Sequence, residues 1–163
     1  MAYVVVVRGP LGVGKSTVAV RLARELGAGY VSIDRILDDH GLWVEGLLRE
    51  FLAANVIAAG QADAFLKSGV PVIFDGNFYW EAQLEDLLAR LDFRHFIFTL
   101  RASLRVCIER DSHRRPPHGP EAARAVYAKT TAFEYGVDVD AERPIETVVQ
   151  EVRSLLRQGL DPK

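Results

Sequence analysis

This sequence has little cysteine, no long apolar run and almost no excess charge, and each shortage excludes a class of protein. The one cysteine, Cys107, excludes an intramolecular disulfide and any zinc site built from several cysteines. The longest uncharged stretch ends at Ala62 and is far shorter than the roughly 20 residues that span a bilayer. A net charge of −2 over 163 residues argues against a surface that coats nucleic acid. We therefore expect a cytoplasmic protein without a membrane segment.

Apolar residues make up 49% of the chain, which is enough for one hydrophobic core, and we expect a single domain over residues 1–163. Five short apolar runs alternate with segments whose apolar residues recur every three or four positions, the helical period. The runs cover residues 3–7, 30–33, 70–74, 93–100 and 135–139. The helical segments cover residues 15–26, 42–67, 81–91, 103–115, 120–133 and 144–156. Strands that are apolar throughout and separated by helices predict a three-layer α/β/α sandwich around a parallel sheet.

The most specific motif is GPLGVGKS, residues 9–16, which matches the P-loop pattern G-x-x-x-x-G-K-[ST] between the first strand and the first helix. Its glycines let backbone N–H groups turn toward an anion, and the following helix points its positive end at the same place. Lys15 would bridge the outer phosphates, and the Ser16 hydroxyl would bind Mg²⁺. The loop therefore predicts nucleoside triphosphate binding, whereas a simple glycine-rich turn would need no lysine. The predicted nucleotide-binding residues here are Gly9, Gly12, Val13, Gly14, Lys15, Ser16 and Thr17.

A missing motif and two aspartates favour a kinase among the P-loop proteins. The only asparagines are Asn55 and Asn77, and neither precedes lysine, so the base-reading N-K-x-D pattern of GTPases is absent. Asp34 and Asp75 each follow an apolar run, at the sheet edge where the P-loop emerges. Asp34, beside Arg35, could accept the proton of an attacking hydroxyl, and Asp75 could order the water shell of Mg²⁺ or hold the substrate. Alternatively, each aspartate is the N-cap of the next helix. The predicted substrate residues are Asp34, Arg35, Asp75 and Asn77.

Basic residues are concentrated in the segment 101–115, which carries five arginines against two acidic residues. Arg110 and Arg114 are four positions apart and would share one face of a helix. In a phosphoryl transferase such arginines can stack on a purine and neutralise charge on the moving phosphoryl group. The alternative is a solvated helix end. We assign Arg110 and Arg114 as candidate catalytic residues beside Lys15 and Asp34, with Arg110 also at the nucleotide.

Together with the P-loop, three further segments resemble the compact P-loop kinases related to nucleotide kinases, which include 5′-hydroxyl polynucleotide kinases and chloramphenicol phosphotransferase. The segments are SIDRIL (32–37), FDGNF (74–78) and CIERDSHRRPPHGPEAARAVYAKTTAF (107–133). The resemblance implies the P-loop NTPase fold, with sheet order 2-3-1-4-5 and a helical lid at about residues 110–133. It also implies Mg²⁺ and ATP as cofactors, Asp34 as general base, lid roles for Arg110 and Arg114, and a turn at residues 141–144 against the adenine.

Position 37 departs from the pattern of the polynucleotide kinases that the sequence resembles. The resemblance implies an arginine three positions after the general base, where it would bind a substrate phosphate. This sequence has Leu37, with Arg35 and Arg49 as the nearest cations in the sequence, which argues against a nucleic-acid acceptor. The leading hypothesis is a phosphotransferase that moves the γ-phosphate of Mg-ATP to a hydroxyl of a small molecule or nucleoside-like acceptor. Aromatic residues near the aspartates, Trp43 and residues 78–80, could stack on its ring. The alternatives are a 5′-hydroxyl polynucleotide kinase and a non-catalytic, ATP-dependent regulatory or binding protein.

Overall fold

The computed structural model describes residues 1–161, and the last two residues of the predicted domain, 162 and 163, lie outside the described residues. The strands are β1 (Val4–Arg8), β2 (Gly29–Ser32), β3 (Val72–Gly76), β4 (His95–Arg101) and β5 (Val137–Asp140). The helices are α1 (Lys15–Leu26), α2 (Ile33–Asp39), α3 (Leu48–Lys67), α4 (Glu81–Ala89), α5 (Leu104–Ser112), α6 (Pro120–Thr130) and α7 (Ile145–Leu160). In this part of the chain, no helix combines the length and apolar character needed to cross a bilayer.

All five strands form one parallel sheet in the order β2-β3-β1-β4-β5, which confirms the predicted topology. The central strand β1 contributes four consecutive valines that are fully buried. Because successive side chains of a strand point to opposite faces, Val4 and Val6 pack in the core shared with α3 and α4, and Val5 and Val7 pack in the core shared with α1 and α7. Helices on both faces of the sheet confirm the three-layer sandwich.

Two helices differ from the sequence prediction near the carboxyl edge of the sheet. The short helix α2 was not predicted as a separate element; it begins because the Ser32 Oγ accepts a hydrogen bond from the Arg35 N–H at 3.3 Å. The segment predicted to be helical from residue 42 becomes helical only at Leu48. There the Glu50 carboxylate accepts hydrogen bonds from the N–H groups of Glu45 and Leu47, which fixes the start of α3.

Gly60 lies on the exposed side of α3 and provides a test of the fold. A Cβ added at Gly60 would meet no heavy atom within 4 Å, and the residue has no positive φ. Since glycine in a helix interior is less stable than alanine, Gly60→Ala is expected to raise the free energy of unfolding by about 0.5–1 kcal/mol. Urea denaturation of the purified protein measures this change.

The matched control for this prediction is Gly29→Ala in β2. A Cβ at Gly29 would lie 2.9 Å from the ring of Phe65, so the same substitution should destabilise the protein there. A decrease in the stability of Gly60→Ala would contradict the described course of α3.

Candidate active site

The P-loop turns from β1 into α1 through backbone conformations that favour glycine. Gly14 is the N-cap of α1 and has a φ of 99°, in the left-handed region. A Cβ at Gly12 would lie 2.3 Å from the carbonyl oxygen of Cys107, so the loop packs against α5 more closely than a side chain would allow. The first N–H groups of α1 have no intrahelical partner and point out of the helix beside this loop. This geometry fits the binding of an anion.

A cavity of about 380 Å³ lies over the loop, and we call it the P-loop cavity. Its lining residues are Gly12, Gly14, Lys15, Ser16, Thr17, Arg110 and Arg114. The Lys15 side chain is buried, and its Nζ lies 3.5 Å from the carbonyl oxygen of Pro10. The structure thus brings the lysine and both predicted lid arginines to one cavity. Arg114 reaches it from beyond the end of α5, not from the helical face that the spacing predicted.

A second cavity, of about 270 Å³, adjoins the first and contains the predicted turn at residues 141–144. We call it the Ala141 cavity; it is lined by Val13, Gly14, Thr17, Val18, Arg110, Ala141, Arg143, Ile145 and Val148. The Arg110 guanidinium donates hydrogen bonds to the carbonyl oxygens of Val13 at 3.0 Å and Ala141 at 2.8 Å. These hydrogen bonds hold the Arg110 side chain in place, where it lines both the P-loop cavity and the Ala141 cavity. Of the other predicted nucleotide residues, Gly9 packs against the backbone of Leu100.

The third cavity, of about 430 Å³, contains Asp34, and we call it the Asp34 cavity. Its lining residues are Leu11, Asp34, Asp38, Trp43, Asn77, Tyr79, Arg114, His118, Ala122 and Val126. Asp34 and Asn77 were predicted at the substrate, and Arg114 connects this cavity to the P-loop cavity. Arg35 and Asp75 are not among the lining residues, and Arg35 is exposed on α2.

The aromatic residues predicted near the aspartates divide between the cavity and the core. Trp43 and Tyr79 line the Asp34 cavity. Trp80 packs edge-on against the rings of Phe51 and Tyr79, and Phe78 is buried in the core. The aromatic side chains of this edge therefore form one packed cluster, with two members open to the cavity.

Asp34 occupies the first turn of α2, so the alternative that it is the N-cap is wrong; the N-cap is Ser32. The carboxyl is partly buried. Burial raises its pKa above the usual aspartate range, the charge of Lys15 opposes this shift, and the charge of Asp75 adds to it. The carboxylate is therefore more basic than that of an ordinary surface aspartate.

Asp75 lies inside β3, so it is not a helix N-cap either. Its side chain is 2% exposed, the Oδ2 atom accepts a hydrogen bond from the Tyr30 hydroxyl at 2.8 Å, and the buried Oδ1 atom has no protein partner. Burial and the Asp75 carboxylate raise the pKa of Tyr30, which keeps its phenol neutral as a donor. A buried carboxylate oxygen without a partner fits a hydrated cation.

Ser16 and Asp75 also fit a magnesium ion that is held mainly by phosphate oxygens. Among the described residues there is no group of three histidine, cysteine, aspartate or glutamate side chains that could hold a metal on their own. Mg²⁺ in phosphoryl-transfer sites uses one or two protein groups together with substrate phosphates and water. The Ser16 hydroxyl in the P-loop cavity and the unpartnered Asp75 oxygen fit this kind of donor set.

The sequence interpretation missed Arg8, the last residue of β1, which is fully buried. Its guanidinium donates hydrogen bonds to the Thr130 carbonyl oxygen at 2.8 Å and the Thr99 hydroxyl at 3.3 Å, and lies 4.2 Å from the centre of the Phe133 ring. Burial, together with the charge of Arg101, lowers the pKa of Arg8 to about 10. Arg8 thus joins the strand before the P-loop to the end of α6. The sequence signal that could have identified Arg8 is a cation directly after four valines.

We expect Arg8→Met to lower the free energy of unfolding by about 1–3 kcal/mol, because it removes the donor that satisfies the Thr130 carbonyl. Thermal and urea unfolding measure the change. Arg105→Met is the control: Arg105 is mostly exposed with one long contact to Glu109, and its loss should change stability by less than about 0.5 kcal/mol. Equal stability of the two variants would contradict the anchoring role of Arg8.

The loop between α5 and α6 is held by Asp111, which is buried. The carboxylate accepts hydrogen bonds from His118 Nδ1 and from the Gly119 N–H, both at 2.9 Å. Burial alone would raise the pKa of Asp111, but these hydrogen bonds hold it below the usual range. The carboxylate is therefore ionised, and its hydrogen bonds join the end of α5 to the last residues of the loop before α6. This connection places Arg114 and His118 at the edge of the Asp34 cavity.

Leu37, the position where a polynucleotide kinase would carry an arginine, is fully buried in the core. It packs in the apolar cluster that also contains Ile33, Ile36 and Phe51. Leu37 is not part of the lining of the Asp34 cavity. Arg49, one of the two substitutes suggested by the sequence, is exposed and paired with Glu45.

Comparisons with known proteins agree with the fold. A family model described as an AAA domain matches residues 4–134, which is more than half of the chain. No curated protein sequence matches significantly. A sugar kinase from Janibacter sp. shares 20% identity with a TM-score of 0.81 and covers 96% of this chain and 95% of its own.

Two further solved structures have the same architecture at low identity. A gluconokinase from Sinorhizobium meliloti shares 20% identity with a TM-score of 0.68, over 94% of this chain and 91% of its own. The APS kinase of Mycobacterium tuberculosis, solved in complex with AMPPNP and APS, shares 18% identity with a TM-score of 0.75, over 96% of this chain and 98% of its own. These similarities confirm the nucleotide-kinase-like P-loop fold that the sequence resemblance implied.

Proposed function

Because this chain belongs to the AAA domain family and has the P-loop kinase fold, we propose that it transfers the γ-phosphate of ATP to a hydroxyl group of a small molecule. The main support for the proposal is that the three cavities lie in series and that each pair of neighbouring cavities shares an arginine. Arg110 lines both the Ala141 cavity and the P-loop cavity, and Arg114 lines both the P-loop cavity and the Asp34 cavity. This order fits a base, a phosphate chain and an acceptor in series.

The donor nucleotide would occupy the first two cavities. Its phosphates would accept hydrogen bonds from the backbone N–H groups at the start of α1, and the Lys15 ammonium would bridge the outer phosphates. The base would lie in the Ala141 cavity, between the Arg110 guanidinium and the apolar residues Val18 and Val148. Ser16 and Asp75 would hold Mg²⁺, which would neutralise charge on the phosphate oxygens.

The acceptor hydroxyl would lie in the Asp34 cavity. Asp34 would accept its proton as the oxygen attacks the γ-phosphorus, and the raised pKa of this carboxyl brings it closer to the basicity that the step requires. Arg114 would contact the phosphoryl group during transfer, since it lines the cavities on both sides. The bond between the β–γ bridging oxygen and the γ-phosphorus breaks, and ADP leaves with that oxygen.

The direct test is ADP release measured with saturating Mg-ATP and a panel of hydroxylated small molecules. At least one acceptor should stimulate release well above the rate without acceptor, and mass spectrometry should find the phosphorylated product. Short 5′-hydroxyl DNA and RNA belong in the same panel. Tight ATP binding without stimulation by any acceptor would contradict the proposal and favour a nucleotide-dependent binding protein.

The pKa of Asp34 predicts how activity depends on pH. The base acts in its ionised form, so kcat/KM should fall as the pH is lowered through its pKa. Because burial raises that pKa, the midpoint of the fall should lie above the usual aspartate value of about 3.9. The measurement is a pH–rate profile, with circular dichroism at each pH to show that the protein stays folded. A midpoint at or below the usual value would contradict the assignment of Asp34.

A further inference from the structure

The Asp34 cavity carries a second carboxylate that the mechanism above does not use. Asp38 lies one helical turn after Asp34 on α2, and both line the cavity. The lining also contains Arg114, which is shared with the P-loop cavity, and His118, whose Nδ1 lies 2.9 Å from the buried Asp111 carboxylate. A compound in this cavity therefore faces two carboxylates, and the one arginine beside it would be engaged by the phosphoryl group under the proposed function.

A buried amide in the same cavity also selects for hydrogen-bond donors. Asn77 is 5% exposed, and its Nδ2 donates to the Tyr79 hydroxyl at 2.8 Å. Its buried Oδ1 atom has no partner in the protein. A carbonyl oxygen of this kind accepts a hydrogen bond from a hydroxyl or an N–H group and repels an anionic oxygen. The Tyr79 hydroxyl is neutral, because burial and the Asp34 charge raise its pKa to about 12.

The other nearby cations do not reverse this charge pattern. The Lys129 ammonium lies 5.6 Å from the ring centres of both Tyr79 and Trp80, and it lines a smaller adjacent cavity of about 110 Å³. Arg35 is exposed and is not part of the lining of the Asp34 cavity. The remaining lining residues are apolar or aromatic: Leu11, Trp43, Ala122 and Val126.

We infer that the acceptor is an uncharged polyol or an amino alcohol with an apolar face, and that alcohols bearing an anionic group are rejected. This inference rests on the proposed function of the same site. Its two carboxylates and unpartnered amide oxygen attract hydroxyl and ammonium donors, whereas a carboxylate, sulfate or phosphate on the acceptor would meet like charge from the partly buried Asp34 and the exposed Asp38. The apolar residues and the Trp43 ring would cover the carbon face of the compound.

The test uses sets of alcohols that share a carbon skeleton and differ in charge. One set is glucosamine, glucose and gluconate; a wider panel holds equal numbers of cationic, neutral and anionic alcohols, with shikimate among the anions. The best acceptor should be cationic or neutral, with kcat/KM about tenfold or more above that of its anionic counterpart. A best acceptor that is anionic would overturn this inference and leave the proposed function intact. No stimulation by any compound would contradict the proposed function and this inference with it.

Asp38 is tested separately with the best acceptor set. In Asp38→Asn, the ratio of kcat/KM for the cationic alcohol to that for the anionic alcohol should fall about threefold or more, mainly through KM, and the effect should weaken at high salt. Asp39→Asn is the matched control, since both aspartates are exposed on the same helix and only Asp38 lines the cavity. An unchanged ratio in Asp38→Asn, or the same change in both variants, would overturn the role of Asp38.

Discussion

Asp34→Asn is expected to lower turnover about 100-fold or more while ATP still binds, because the amide cannot accept the proton of the attacking hydroxyl. The substitution keeps the size of the side chain and removes one negative charge near Lys15, so nucleotide affinity should stay the same or increase. Steady-state kinetics and calorimetry of Mg-ATP binding separate the two effects.

The outcome for Asp34→Asn also distinguishes the three functional hypotheses. Both kinase hypotheses require a base at this position, whereas a non-catalytic binding protein should keep its partner affinity and its slow ATPase rate in the variant. Asp39→Asn, on the exposed side of the same helix, controls for general effects on α2. Full turnover in Asp34→Asn would show that another group accepts the proton.

Lys15→Ala is expected to have the second large effect, a loss of about 100- to 1,000-fold in turnover together with weaker binding of ATP. The Lys15 side chain is buried within the P-loop cavity, where its charge would act on phosphate oxygens with little screening by solvent. Nucleotide titration followed by fluorescence or calorimetry measures the binding. Lys67→Ala is the control, because Lys67 is exposed and paired with Asp63 at the far end of α3.

The loss in Lys15→Ala should be larger for ATP than for AMP, since AMP has no β- or γ-phosphate for the ammonium to bridge. Equal losses for both nucleotides would contradict the position assigned to Lys15. The substitution tests the nucleotide site without deciding the acceptor, because every hypothesis for this chain places a triphosphate at the P-loop.

The sheet and the P-loop could be predicted because their signals are local. Four consecutive β-branched valines favour a strand that is buried on both faces, and the glycines and lysine that follow have fixed spacing. The Asp34 position followed from its place after β2. The helix α2 was missed because its seven residues, Ile33–Asp39, are too few to establish a helical period.

Other parts of the site depend on contacts between distant residues. Arg8 is held by Thr130, which is 122 positions away, and no pattern near Arg8 contains that contact. Asp38 lines the cavity because α2 is helical. Since α2 was not predicted, the position of Asp38 in the cavity lining could not be predicted either. Gly12 lies close to Cys107 because α5 packs on the P-loop. Neither segment contains a sequence pattern that predicts this contact.

Hydrogen exchange with and without AMPPNP and Mg²⁺ tests whether a nucleotide binds at the P-loop. We expect the nucleotide analogue to slow exchange in residues 9–17 and in the turn at 141–144, because these segments border the P-loop cavity and the Ala141 cavity. The far end of α3, around Lys67, should exchange at the same rate in both samples. Unchanged exchange at residues 9–17 with saturating analogue would show that this loop does not bind the nucleotide.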